Sequence, residues 1–124
     1  MKKKKRSSCP AACALDIAGD RWTLLVVRDL LRGRRTYGEL ADSPERIPTN
    51  ILADRLRRME EGGLIKASLY QRRPPRYAYA LTAKGLGLEA VLASLARWGK
   101  RHLPGTVVMP EFSSSSRSSL PGRR

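Results

Sequence analysis

The spacing of apolar residues changes along the chain from helical to alternating and back, and these changes delimit its elements. Cys9 and Pro10 open a short helix carrying Ala11, Ala12, Ala14, Leu15 and Ile17, with Cys9 as its N-cap and Pro10 as its first residue, and the helix ends near Gly19. Asp20 caps a second helix whose run over residues 22–31 is apolar almost all round, which marks an element covered on several sides; Gly33 stops it. Arg34-Arg35-Thr36 reads as a short extended piece, and Tyr37-Gly38-Glu39-Leu40-Ala41 as one or two helical turns. Pro44 and Pro48 forbid a continuous helix across residues 43–48, so that segment is the turn between two helices.

The chain is organised around residues 48–65. Ile51, Leu52, Leu56 and Met59 repeat at helical spacing and form one apolar stripe, Pro48 suits a first turn, and the pair Gly62-Gly63 supplies a left-handed stop. The opposite face carries Thr49, Asn50, Ala53, Asp54, Arg57 and Arg58, a mixture unlike the Glu/Lys surface of an ordinary solvated helix. After Gly63 the period becomes two. Ile65, Ala67 and Leu69 alternate with Lys66, Ser68 and Tyr70, then Tyr77, Tyr79 and Leu81 alternate with Ala78 and Ala80, which predicts two strands. Gln71-Arg72-Arg73-Pro74-Pro75-Arg76 joins them as a basic loop, and Tyr70, Tyr77 and Tyr79 are expected to pack inward. Thr82 caps a last helix, weakened in its first turn by Gly85 and Gly87, whose stripe of Leu88, Val91, Leu92, Leu95 and Trp98 runs to about Leu103. A small chain has little core to cover both this stripe and that of the first helix, so both are expected to meet a second copy. The order helix, helix, short strand, helix, helix, hairpin, helix is that of a winged helix-turn-helix: mainly α, with a small antiparallel hairpin as the wing.

The ends differ from this middle. Residues 1–8 form a charged arm and residues 104–124 a Ser/Pro/Arg-rich tail, neither with enough apolar content to order itself, leaving one domain over residues 9–103. The formal charge is +14, of which residues 2–6 contribute +5 and the tail from Ser113 another +3, so +6 remains on residues 7–112. A basic folded segment favours an anionic partner through phosphate neutralisation and counterion release. No apolar run approaches a membrane span and no signal-peptide pattern follows the lysine block, so the expected place is the cytoplasm, on the nucleoid, with no membrane partner. Cys9 and Cys13 are expected as thiols, and with His102 they are too few and too scattered for a closed zinc site; neither metal nor cofactor is expected.

No nucleophile–base pair, paired carboxylates or phosphate-cradling glycine loop is visible, so the chain does not read as an enzyme, and His102 reads as a helix-end cation. Double-stranded DNA is the partner that the organising helix fits. Asn pairs bidentately with adenine, Arg with guanine, and a Thr methyl packs on the thymine methyl, all in the major groove. Thr49, Asn50, Ala53, Asp54 and Arg57 are the candidate groove residues; Arg55 and Arg58 flank them, for phosphates or for an internal ion pair. Arg72, Arg73 and Arg76 are candidates for phosphate or minor-groove contact, against the plainer reading of a solvated loop. The alternatives are a basic RNA-binding protein, which would need stacking aromatics on a platform, and a protein-interaction module without a working DNA face.

The segments Cys9-Pro10, Arg21-Trp22-Thr23-Leu24-Leu25, Arg28-Asp29-Leu30, the run from Ile51 to Glu60, Gly63-Leu64-Ile65, Pro74-Pro75-Arg76 and Tyr79-Ala80-Leu81-Thr82 closely resemble the HxlR family of bacterial transcriptional regulators. The resemblance covers about residues 9–103. It implies a homodimer joined through the first and last helices, a recognition helix at residues 49–60, a wing at residues 71–76, a pseudo-palindromic operator and local repression. Pro48 departs from the family, which often has Ser there as a cap. Some relatives sense oxidants or electrophiles through a cysteine matching Cys9, and a thiol at a helix N-terminus beside Lys and Arg suits that chemistry.

Overall fold

The computed structural model of the chain describes residues 7–106. The arm ahead of Ser7 and the tail beyond Thr106 lie outside those residues. Six helices and one hairpin follow in order: α1 (Pro10–Ala18), α2 (Thr23–Leu31), α3 (Tyr37–Ala41), α4 (Thr49–Glu61), β1 (Ile65–Arg72), β2 (Pro75–Leu81), α5 (Ala83–Leu86) and α6 (Leu88–His102). The chain is mainly helical with a two-stranded antiparallel sheet.

Local chemistry accounts for most boundaries. Pro10 stands in the first turn of α1, where its missing N–H goes unused, and Cys9 is the N-cap without a side-chain bond. Asp20 receives the Trp22 and Thr23 backbone N–H groups at 3.0 and 3.1 Å and the Thr23 hydroxyl at 2.6 Å, satisfying donors at the head of α2. Thr36 and Glu39 form a reciprocal capping box on α3. Pro48 is itself the N-cap of α4, so the helix begins at Thr49. Gly63 alone carries the left-handed stop, at φ 79°, while Gly62 stays right-handed.

The core lies where α2, α3 and α4 meet the base of the hairpin. Val26, Val27, Leu40, Ile47, Leu52, Leu56, Met59, Leu64 and Ile65 are buried there, joined by Leu92 from α6. The organising helix contributes Leu52, Leu56 and Met59, three of its four expected stripe positions, with Ile51 half-buried. Thr36 makes a single bridge to Ala78, and the Tyr79 N–H donates to the Arg35 carbonyl at 2.8 Å; the expected short strand is reduced to this contact.

Three expectations are corrected. The basic segment at residues 71–76 is not a loop: Gln71 pairs with Arg76 and Arg72 with Pro75, which leaves Arg73 and Pro74 at the turn, and an irregularity between Leu69 and Gln71 shifts the register. Pro75 opens β2, the strand position where a missing N–H is tolerated. Tyr70 and Tyr77 are exposed rather than packed inward, because the hairpin projects past the core and its apolar face has nothing left to cover it; Tyr79, nearer the base, is half-buried. The last helix is two helices divided at Gly87. Thr82 caps only α5, through the Gly85 N–H at 3.1 Å, and Gly85 is buried so closely against the Leu64 carbonyl that any Cβ there would collide with it.

Candidate nucleic-acid interface

A single guanidinium fixes the turn that leads into α4. Arg28, on α2, donates to the buried carboxylate of Asp29 at 2.9 and 3.1 Å, and reaches both oxygens of Glu45 at 2.6 and 2.8 Å and the Ser43 hydroxyl at 3.3 Å. Residues 43–45 are thereby tied to α2, and with them the approach to Thr49. A second tie comes from α3, where the Tyr37 hydroxyl donates to the Thr49 carbonyl at 2.9 Å. Neither tie was legible in the sequence. Arg28 and Tyr37 are separated from their partners by segments whose path only the fold settles.

On α4 itself, Thr49, Asn50, Ala53, Arg57 and Arg58 are exposed on the side opposite the core. Asp54 is half-buried and meets three arginines: Arg55 and Arg57 as hydrogen-bond donors and Arg58 at 3.1 Å. Arg55 is used inward. Its side chain is 19% exposed and donates to Asp20 at 2.8 Å, so of the two roles open to it the structure displays the internal ion pair. Arg57 and Arg58 remain 59% and 62% exposed. On the hairpin, Arg72, Arg73 and Arg76 are all exposed around its tip. A cleft of about 530 Å³ between the hairpin and the start of α3 is walled by Tyr37, Tyr70, Tyr77 and Tyr79, with Arg76 beside them.

The electrostatics of the Asp20–Arg55 and Glu45–Arg28 pairs can be tested by acid. Burial pushes the Asp20 carboxyl up, but donors from Thr23, Arg55 and the Trp22 and Thr23 backbone outweigh it and hold the group at about 2. Hydrogen bonds from Arg28 hold Glu45 at about 2 against an ordinary 4.5. Both folded-state values lie below the unfolded ones. The stability they contribute is therefore complete above the unfolded values and disappears as pH falls from about 4.5 through about 2. Glu45→Gln is expected to melt below the parent at neutral pH, with the gap closing across that interval; a gap independent of pH means that Glu45 carries no linked charge.

Away from this face, the first and last helices leave apolar side chains uncovered. Leu15 and Ile17 on α1 and Val91, Leu95 and Trp98 on α6 are exposed, and Leu15 and Leu95 line a groove of about 590 Å³ between α1, α2 and α6. Cys9 is exposed at the head of α1, and the Cys13 thiol donates to the Ser7 carbonyl at 3.2 Å. Among the described residues no helix is long and apolar enough to cross a membrane, and no cluster of His, Cys, Asp and Glu could hold a metal ion.

Comparison with known proteins matches this architecture. The model of the HxlR-like helix-turn-helix family covers residues 17–106. An HTH-type transcriptional regulator of Synechocystis is 36% identical over 91 residues, which are 73% of this chain and 67% of that protein. One from Mycobacterium tuberculosis is 41% identical over 91 residues, again 73% of this chain but 57% of the relative's length. The reduced form of the transcriptional regulator YodB from B. subtilis superposes with a TM-score of 0.65 at 25% identity, covering 82% of this chain and all of that one; its diamide-treated form also matches, at a TM-score of 0.61 and 27% identity over 76% of this chain and 94% of that one. These similar proteins are transcription regulators, not enzymes.

Proposed function

The chain belongs to the family of HxlR-like helix-turn-helix transcriptional regulators, and from that premise we propose that it binds double-stranded DNA in a sequence-specific manner as a homodimer and represses nearby genes. The observation that carries this reading is the division of α4. Leu52, Leu56 and Met59 anchor one side, while Thr49, Asn50, Ala53 and Arg57 share the exposed side with the chemistry of base-edge recognition. Asn50 suits adenine, Arg57 guanine and Thr49 the thymine methyl. Arg58 and the hairpin's Arg72, Arg73 and Arg76 take phosphates, or the minor groove in the case of the hairpin tip. Arg55 supports the helix from behind.

The test separates readers from holders. Arg57→Ala is expected to cost roughly 1–3 kcal/mol on a selected duplex and little on a scrambled one, whereas Arg73→Ala weakens both alike and flattens the salt dependence by about one unit. If Arg57→Ala binds the selected duplex like the parent, α4 is not the reading element. The exposed Tyr70 and Tyr77 give a basic RNA-binding reading its one structural support. Titrating single-stranded RNA beside duplex DNA at the same salt decides between them, with duplex expected to win.

A thiol response is part of the proposal. Cys9 is exposed at the head of α1, one of the two helices proposed to join the subunits, and the similar YodB has a diamide-treated form. Two Cys9 thiols of a dimer would give one disulfide, their two hydrogens reducing diamide to the hydrazine, and the shift of α1 would respace the two α4 helices. Cys9→Ser is expected to keep DNA on addition of diamide where the parent releases it; release equal to the parent's removes Cys9 from the response.

A further inference from the structure

The arginines of α4 are organised around one acid. Asp54 Oδ2 accepts from Arg55 Nη1 and lies 3.1 Å from Arg58 Nε, and Asp54 Oδ1 accepts from Arg57 Nη2. The acid does not move freely, because Arg55 is held from its other side by Asp20 at 2.8 Å, and Asp20 is held in turn by the Trp22 and Thr23 backbone N–H groups at the head of α2. Asp54 is thus tied through Arg55 to the scaffold, and Arg57 and Arg58 are arranged on it.

Charge is also divided unevenly between the two proposed DNA-facing elements. On α4, Arg55, Arg57 and Arg58 are balanced by Asp54, Glu60 and Glu61, so this helix of a +14 protein is formally neutral. The hairpin segment at residues 71–76 holds Arg72, Arg73 and Arg76 and no acid. Phosphates attract a free guanidinium whatever the sequence, so a cationic α4 would add affinity for every duplex and discriminate between none. A carboxylate facing DNA opposes that: it repels phosphate and keeps the guanidiniums engaged until something better than a phosphate is offered.

We propose that Asp54 is a specificity-determining residue that touches no base itself: it holds Arg57 and Arg58 in position on α4, offsets their pull on phosphate, and makes the engagement of Arg57 depend on a base edge rather than on backbone charge. The inference rests on the proposal that α4 reads duplex DNA. It assigns affinity to the hairpin and discrimination to a helix kept neutral by Asp54. It also gives Asp20 and Arg55 a part, since they fix the height and direction of the carboxylate without facing DNA.

The experiment begins with selection of a duplex from a random-sequence pool by the full-length parent protein. Parent, Asp54→Asn and Asp54→Glu are then titrated against the selected duplex and a scrambled duplex of the same composition over a range of salt, with thermal midpoints measured to verify folding. Asp54→Asn is expected to bind the scrambled duplex about five- to tenfold more tightly near 0.1 M salt, with a log–log salt slope steeper by about one and discrimination reduced by a similar factor. Asp54→Glu, which restores the charge, is expected to return toward the parent. Unchanged scrambled-duplex affinity and slope in Asp54→Asn overturn the proposal. So does a loss confined to the selected duplex, which would make the carboxylate a direct acceptor from a base. A parent that selects no sequence and binds no duplex overturns the reading of α4 together with this inference, and is distinguished by appearing before any variant is compared.

Discussion

Arg28→Ala is expected to lower the stability of the chain by about 3–5 kcal/mol, the cost of leaving a buried charge without its partner. Asp29 is 3% exposed at the side chain and its Oδ1 accepts from Arg28 Nε and Nη2. Without the guanidinium its carboxylate would be stranded in the interior between α2 and the turn, and Glu45 and Ser43 would lose the group that ties residues 43–45 to α2. Chemical denaturation of the parent, Arg28→Ala and the double variant Arg28→Ala/Asp29→Ala measures this. The double variant is expected to recover part of the loss, because it removes the orphaned charge along with its partner. An Arg28→Ala protein within about 1 kcal/mol of the parent would show that Asp29 is satisfied without Arg28. Since the same guanidinium sets the approach to Thr49, the folded fraction of Arg28→Ala is also expected to discriminate less between duplexes.

Leu95→Asp is expected to leave the fold intact, to give a monomer, and to weaken operator binding roughly a hundredfold or more, the factor by which coupling two readers on one duplex exceeds one reader alone. Leu95 is 53% exposed on α6 and lines the groove that Leu15 of α1 borders, so within one subunit its replacement costs little. A monomeric soluble protein seldom leaves Leu15, Ile17, Val91, Leu95 and Trp98 uncovered on neighbouring helices. In the proposed homodimer these side chains cover each other and set the two α4 helices about one helical turn, roughly 34 Å, or a multiple apart. Sedimentation of the parent and Leu95→Asp, followed by titration of both with the selected duplex, tests the pairing and its effect on affinity. A parent that sediments as a monomer, or a Leu95→Asp protein that remains dimeric and binds as before, would falsify the assignment of this face.

Much of the fold was legible because its signals are local. The stripe Leu52, Leu56 and Met59, the Asp20 carboxylate at the head of α2 and the stop at Gly63 each depend on residues within about a turn of one another, although the N-cap of α2 is Trp22 rather than Asp20. What was misjudged depended on distance. The hairpin keeps pairing through Arg72 and Pro75, although two prolines and three arginines resemble a loop, because the ladder continues outward from a base that Leu64 and Ile65 seat on the core. Tyr77 has the alternation of a buried residue but, like Tyr70, lies beyond the reach of the core. The break at Gly87 follows the close approach of Gly85 to Leu64, a contact between segments about twenty residues apart.

The periodicity and the two-sidedness of α4 were determined by the sequence alone, because hydrophobic spacing needs no distant partner to express itself. The tertiary structure decided which charges are spent inside the protein. Among Arg28, Arg55, Arg57 and Arg58 the sequence offers four similar guanidiniums, yet Arg28 is consumed by Asp29 and Glu45, Arg55 by Asp20 and Asp54, and only Arg57 and Arg58 stay largely exposed. Which arginine faces outward is settled by the acids that folding brings against it, and the nearest acids of Arg28 and Arg55 include Glu45, 17 residues away, and Asp20, 35 residues away.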